Sequence, residues 1–412
     1  MRAFVVILLI LFAIVTNKTS NIKADPSLLA CANCLQIMPQ TATQWNRLTE
    51  ATWAGYKNRY IYCGADCANN VGLVFDPSIG FQTTSEGVGY GLLMAVMMND
   101  QANFNIIYEA AQAILFDPSS GLFNWRANND LNINGFGSAT DADQDIAAAL
   151  VFAQSRVDAG DWQQHTTLPY DKQAESLIDA IWSSEIVDGR YILPGNRFGG
   201  GGQAITNPSY FSPAWYRIFD QFQSTQRWQP VIDQGYRTLF QSPGSSLGLA
   251  PDWSDARGQS SSAYCQRTGI EAAKCRYDMF YDAIRVPWRI GLDCLWFGDE
   301  RACEWSRRSA NFLRGLPDDQ FAIMYTLDGT PIVNYRDETM IAMWLVAAVA
   351  ASDPSLQERI ESQLATLGEN AITNGYWGNS PESYYNQSLA WFASALLSGD
   401  FVNLFALETQ SE

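Results

Sequence analysis

A chain of 412 residues, 47% hydrophobic and only 17% charged, can bury a large core, which excludes wholesale disorder. Its formal net charge of −17 disfavours nucleic acid, anionic membranes and anionic polysaccharides as partners, because each needs a basic surface. A neutral or cationic substrate remains allowed.

Arg2, the apolar run Ala3 to Val15, polar residues to Lys23 and the small Ala24 have the outline of a signal peptide over 1–24. The run is too short to span a bilayer. Residues 25–412 are then expected to leave the cell as one domain, with no membrane association once the leader is removed. The eight cysteines fall into two sets, Cys31, Cys34, Cys63 and Cys67, then Cys265, Cys275, Cys294 and Cys303. In an exported chain such even clustering predicts disulfides, with three pairings open in each set. The competing reading is a four-thiolate zinc site from the two short-spaced pairs 31/34 and 63/67.

Taken in order, Thr41 to Tyr60 has Trp45, Leu48, Trp53 and Tyr56 at roughly helical spacing. Asn69 to Thr84 is rich in turn residues. Ser85 then reads as a helix N-cap, with Glu86 in the first turn and an all-round apolar run from Tyr90 to Met98. Glycines at 87, 89 and 91 weaken a helix but let a ligand or another backbone come close. Further helices are expected over Asn103–Phe116, Asp141–Ser155, Lys172–Trp182, Phe211–Phe222 and Trp228–Phe240. Arg285–Trp296, Glu304–Leu313, Thr339–Ala351, Ser355–Leu367 and Ser388–Leu397 complete the series. Helices apolar on every face alternate with amphipathic ones, and no convincing run of paired strands interrupts them. The pattern predicts an all-α fold of two concentric helix rings, with an α-solenoid as its rival.

Four segments carry candidate chemistry. Glu86 is a lone carboxylate at the mouth of a buried helix. Ala139-Thr140-Asp141-Ala142-Asp143-Gln144-Asp145 looks like the start of a calcium loop. That match fails where Ile146 replaces the turn glycine and Phe152 the bidentate Glu. Tyr281-Asp282-Ala283-Ile284-Arg285-Val286-Pro287-Trp288 sets Asp282 before a helix start with Arg285 one turn on. Asn207-Pro208-Ser209-Tyr210-Phe211 is a turn that presents a tyrosine, and it follows a flexible run, Gly199 to Gly202.

Together, Ser85-Glu86-Gly-x-Gly-Tyr-Gly, Ala139-Thr140-Asp141-Ala142-Asp143, Asn207-Pro-Ser-Tyr210-Phe and Tyr281-Asp282-Ala-x-Arg285-x-Pro-Trp resemble the signature segments of family 8 of the glycoside hydrolases. The resemblance spans about residues 41 to 400 and implies an (α/α)6 barrel that cuts β-1,4 links of a glucan, xylan or chitosan with inversion. It implies Glu86 as proton donor, Asp282 as the base that activates water, and Asp141 as a residue gripping the sugar. Tyr210 would lie near the water, Arg285 and the pair Tyr384 and Tyr385 would contact substrate, and Trp125 would stack on it. Acetal hydrolysis by two carboxylates needs no cofactor and no metal. The expected partner is a polysaccharide, foremost cellulose or mixed-linkage β-glucan, and the expected state a monomer. A catalytically dead carbohydrate-binding protein is the reading from a different class. The helix dipole should lower the Glu86 pKa, so burial and Asp141 must outweigh it if Glu86 is to hold a proton. His165 has no part in this chemistry. The sequon at Asn386 opens a buried helix and is expected to be unglycosylated.

Overall fold

The computed structural model describes residues 39–63, 72–197, 204–260, 277–335, 337–368, 371–381 and 383–408, with 262, 265–266, 269 and 271 between. The predicted leader, Cys31, Cys34, Cys67, Cys275 and the glycine run 199–202 lie outside them. Twelve helices of ten residues or more stand among the described residues. They are α1 (Pro39–Tyr56), α2 (Ser85–Met97), α3 (Gln101–Ile114), α4 (Thr140–Asp158), α5 (Tyr170–Glu185) and α6 (Pro213–Phe222). After them come α7 (Gln229–Gln241), α8 (Val286–Phe297), α9 (Glu300–Arg314), α10 (Glu338–Ala350), α11 (Pro354–Leu367) and α12 (Tyr384–Ser398).

The alternation read from the sequence is the architecture. Even-numbered helices form the inner ring: α2 packs on α4, α4 on α6, α6 on α8, α8 on α10, α10 on α12, and α12 returns to α2. Every residue of α10 is buried, and in α2 every residue but Glu86. Odd-numbered helices lie outside and show one apolar stripe each. In α11 the buried residues are Leu356, Ile360 and Leu364, a strict four-residue step. Each such side chain stabilises the fold by roughly 1.5–3 kcal/mol through burial. The result is an (α/α)6 barrel.

Two expectations need correction. First, short strands are present: β1 (Phe75–Asp76), β2 (Gln82–Thr84), β3 (Phe116–Asp117), β4 (Leu122–Phe123), β5 (Arg126–Ala127) and β6 (Ile133–Gly135), then β7 (Ile186–Val187) and β8 (Tyr191–Ile192). An antiparallel sheet of order β1-β2-β5-β6 pairs Thr83 with Ala127 and Arg126 with Gly135. Runs of two or three residues cannot show a period of two, so the sequence held no signal for them. Second, Ser85 is not the cap of α2. Thr84 is, its Oγ1 accepting the Gly87 N–H at 3.1 Å.

All four described cysteines are oxidised. Cys294 on α8 pairs with Cys303 on α9, and Cys63 and Cys265 are disulfide-bonded too. The zinc alternative required Cys63 as a free thiolate and is thereby removed.

The glycines of α2 make room for protein. A Cβ at Gly89 would lie 3.0 Å from Asp145 Cβ and 3.3 Å from the Ala142 carbonyl, both on α4. Asp145 cannot yield, because Arg289 Nη1 and Nη2 grip it at 2.5 and 2.7 Å and Trp215 Nε1 at 2.8 Å. Overpacking of this kind costs about 1–3 kcal/mol, which exceeds the roughly 1 kcal/mol that Ala gains over Gly in a helix. Gly89→Ala is therefore expected to destabilise the fold by about 1–2 kcal/mol in urea unfolding.

Candidate active site

The inner helices bring their first residues to one mouth of the barrel, and Arg285 lies at its centre with no exposed surface. Val286 and Pro287 open α8, and Arg285 ends the short turn Ala283–Arg285 before it. Its Nη1 donates to Glu86 Oε2 and to Asp141 Oδ2, both at 2.6 Å. Its Nη2 donates to Ser209 Oγ at 2.8 Å and to Asp282 Oδ1 at 3.2 Å. Tyr90 Oη lies 3.4 Å from Nη1, and the rings of Tyr210 and Tyr385 flank the guanidinium at 5.3 and 5.9 Å. One cation thus gathers acids from three separate elements.

Glu86 keeps 22% of its side chain open and Asp282 keeps 36%, whereas Asp141 is buried. Burial pushes the Glu86 carboxyl up to about 7. Arg285 and the Tyr384 hydroxyl pull it down, and the charges of Asp141 and Asp282 add to the rise. Burial thus outweighs the pull of Arg285 and Tyr384. Asp282 is also raised by burial, opposed by Arg285, with Trp253 and Asn207 lowering it further. Asp141 Oδ1 is buried and has no protein partner among the described residues.

Tyr384 is buried. Its hydroxyl donates to Glu86 Oε1 at 2.7 Å and lies 2.7 Å from Thr84 Oγ1. With its one proton given to Glu86, Tyr384 accepts from Thr84. Tyr385 donates to the Tyr281 carbonyl at 2.5 Å, beside Asp282. Trp125 sits at the rim, 37% exposed, with Arg126 over its ring at 4.3 Å. Its carbonyl accepts the Ser85 N–H at 3.0 Å, which ties it to the start of α2. Gly135 leaves the slot it fills, since a Cβ there would meet the indole at 2.5 Å.

The comparisons with known proteins agree on one family. The model for glycosyl hydrolases family 8 matches residues 27–397. Endoglucanase 2 of Ruminiclostridium josui is 32% identical over 89% of this chain and 74% of its own length. Endoglucanase A of Acetivibrio thermocellus is 31% identical over 86% and 70%. This chain belongs to family 8 of the glycoside hydrolases. A solved variant of Rex8A from Paenibacillus barcinonensis, complexed with xylose, superposes with a TM-score of 0.70 over 88% of this chain and 94% of that one. At 20% identity that likeness speaks for the fold alone.

In this family 8 hydrolase the three aspartates that open α4 go three ways. Asp141 meets Arg285, Asp145 meets Arg289, and Asp143 accepts the Phe123 N–H at 3.1 Å beside the buried Glu185. Burial raises both Asp143 and Glu185, and Ser138 donates to Glu185 at 2.5 Å. Alternate residues on a helix point apart, so they do not surround one cation as a calcium loop would. His165 is buried away from this cluster, with Nε2 2.8 Å from Glu109. The sequence reading missed Tyr90, Ser209, Trp253 and Asn207. Tyr90 was within reach of it, lying one turn after Glu86 in the same motif.

Removing the Tyr384 hydroxyl removes a donor that favours ionised Glu86. Tyr384→Phe is thus expected to move the Glu86 midpoint upward from about 7, read by carbon NMR of labelled glutamate. An unchanged or lower midpoint would contradict the hydrogen bond.

Proposed function

We propose that this chain is an exported endo-β-1,4-glucanase acting with inversion, Glu86 protonating the leaving oxygen and Asp282 activating water. The observation that carries the reading is the Arg285 guanidinium, which holds Glu86 on one nitrogen and Asp282 on the other. Two open carboxyls on either side of one fixed cation suit acid and base work on opposite faces of a sugar. A Glu86 pKa of about 7 lets it carry a proton near neutrality. Burial raises Asp282, and three side chains, Arg285, Trp253 and Asn207, oppose that rise by favouring its ionised form.

In this reading Asp141 Oδ1, a buried acceptor without a protein partner among the described residues, takes a hydroxyl of the sugar beside the scissile bond. Tyr210 stands over Arg285 and near the water, and Tyr385 borders the same ring. Tyr384 acts on Glu86 and not on sugar directly. Exposed aromatics lie on both flanks of the carboxyl pair: Trp125 near Glu86, and Tyr281 with Tyr335, 3.3 Å apart at their hydroxyls, near Asp282. Platforms on both sides suit a chain that runs through, hence internal cleavage. The relatives named endoglucanases support a glucan. Others are reducing-end xylose-releasing exo-oligoxylanases, one from Halalkalibacterium halodurans being 24% identical over 82% of this chain. A xylan substrate is the second reading, with chitosan behind it. Export is supported by the leader-like residues 1–24 and the oxidised cysteines. No described helix is long and apolar enough to cross a membrane. The reading takes residues 25–412 as one catalytic domain working as a monomer.

Reducing-sugar assays on cellulose, lichenan, xylan and chitosan should give the highest rate on a glucan and a rapid fall in its viscosity. Release of monomer without that fall would overturn internal cleavage, and inertness on all four would favour a binding protein. Proton NMR of early product should show the α anomer. Glu86→Gln should lose activity on poor leaving groups and keep it on activated aryl glycosides, whereas Asp282→Asn should lose both. An initial β anomer, or a near-normal Asp282→Asn, would refute these roles.

A further inference from the structure

The loop that carries Asp282 is wound around a second buried carboxyl that none of the site motifs contains. Asp252, 4% exposed, lies in the segment between α7 and α8. Its Oδ1 accepts the N–H of Phe280 and the N–H of Ala283, both at 2.9 Å. Those two donors bracket Tyr281 and Asp282, so one oxygen atom fixes the backbone on both sides of the proposed base. Asp252 is itself anchored. Its N–H donates to the Asp278 carbonyl at 2.9 Å, and two residues on Ser254 exchanges both backbone bonds with Thr206, at 2.8 and 3.0 Å. The residue between them, Trp253, lowers the pKa of Asp282 through its side chain, and Tyr210 packs edge-on against it at 6.2 Å.

From this geometry we infer that Asp252 is a positioning residue for the hydrolysis, aiming Asp282 by clamping the Phe280–Ala283 backbone. The inference rests on Asp282 being the base. A carboxyl that only stabilised the fold could cap any turn; this one grips the single turn that presents Asp282 to the open face. Burial and the neighbouring Asp282 charge push Asp252 up to about 8, so at neutral pH it carries a proton. An amide reproduces that uncharged state and still offers an oxygen to both N–H groups. The clamp therefore depends on the acceptor and not on a negative charge.

The test is steady-state kinetics of the mature enzyme on a soluble β-1,4 gluco-oligosaccharide, with thermal unfolding of every variant. Asp252→Ala removes the acceptor and is expected to lower kcat about 100-fold while KM stays within about twofold, the mark of a mispositioned group. Asp252→Asn is expected to retain kcat within about fivefold. Should Asp252→Ala fail to fold, Asp252→Asn still decides: a loss of 100-fold or more there, in a folded protein, overturns the clamp. So does a near-normal kcat for Asp252→Ala, or a KM rise that accounts for its loss. An inactive Asp282→Asn beside a fully active Asp252→Ala removes this inference and leaves the base assignment standing. An active Asp282→Asn removes both.

Discussion

A buried guanidinium surrounded by more acids than it can neutralise is the constraint on which this site depends. Arg285 meets Glu86, Asp141 and Asp282 within hydrogen-bond reach, so full ionisation would leave an excess of two negative charges in a poorly solvated place. Uncompensated buried charge costs several kcal/mol per ion. The least costly relief is to leave a proton on one acid, and Glu86 is the one held up near neutrality. The converging starts of the inner helices supply further partial positive charge, which lowers the cost of negative charge gathered there. A Glu86 that holds a proton near neutrality thus follows first from burial, with the crowding of acids around one arginine adding to it.

That balance requires precise placement, and the double ring provides it. Glu86, Asp141 and Tyr384 stand in the first turn of an inner helix, and Arg285 and Ser209 just before one. Helices buried on every face cannot rotate or slide without opening the core, so their first turns are fixed points. Salt bridges within the core reinforce this, notably Arg289 with Asp145, which locks α8 to α4 one turn below the site. Where the chain leaves the ring, side-chain acceptors take over: Thr84 caps α2, and Asp252 gathers the turn before α8.

Much of this was legible in the residues. Four of the six inner helices, α2, α4, α10 and α12, announced themselves because burial on all faces demands apolar residues on all faces, and the outer ones did so by their stripes. The charged site residues lie in short motifs whose order along the chain is itself informative. What stayed hidden depends on contacts between distant segments. Nothing in Tyr384 itself says that its hydroxyl faces Glu86, nearly three hundred residues earlier. Asp252 stands in an ordinary Pro-Asp-Trp turn, and only the fold brings Phe280 and Ala283 to it. The strands beside the mouth were too short to leave a pattern.

The rim aromatics have a different footing from the carboxyls. Trp125 lies between short strands, kept in place by a carbonyl bond to Ser85 and a slot at Gly135, and Tyr335 sits in the loop before α10. Loop residues of this kind can be lengthened, shortened or exchanged without shifting a helix start. The molecule therefore separates two inheritances. On the proposed reading, the carboxyls that would break the bond are fixed by helix starts and one clamped turn, while the aromatics that would choose which chain to hold stand in segments that can drift.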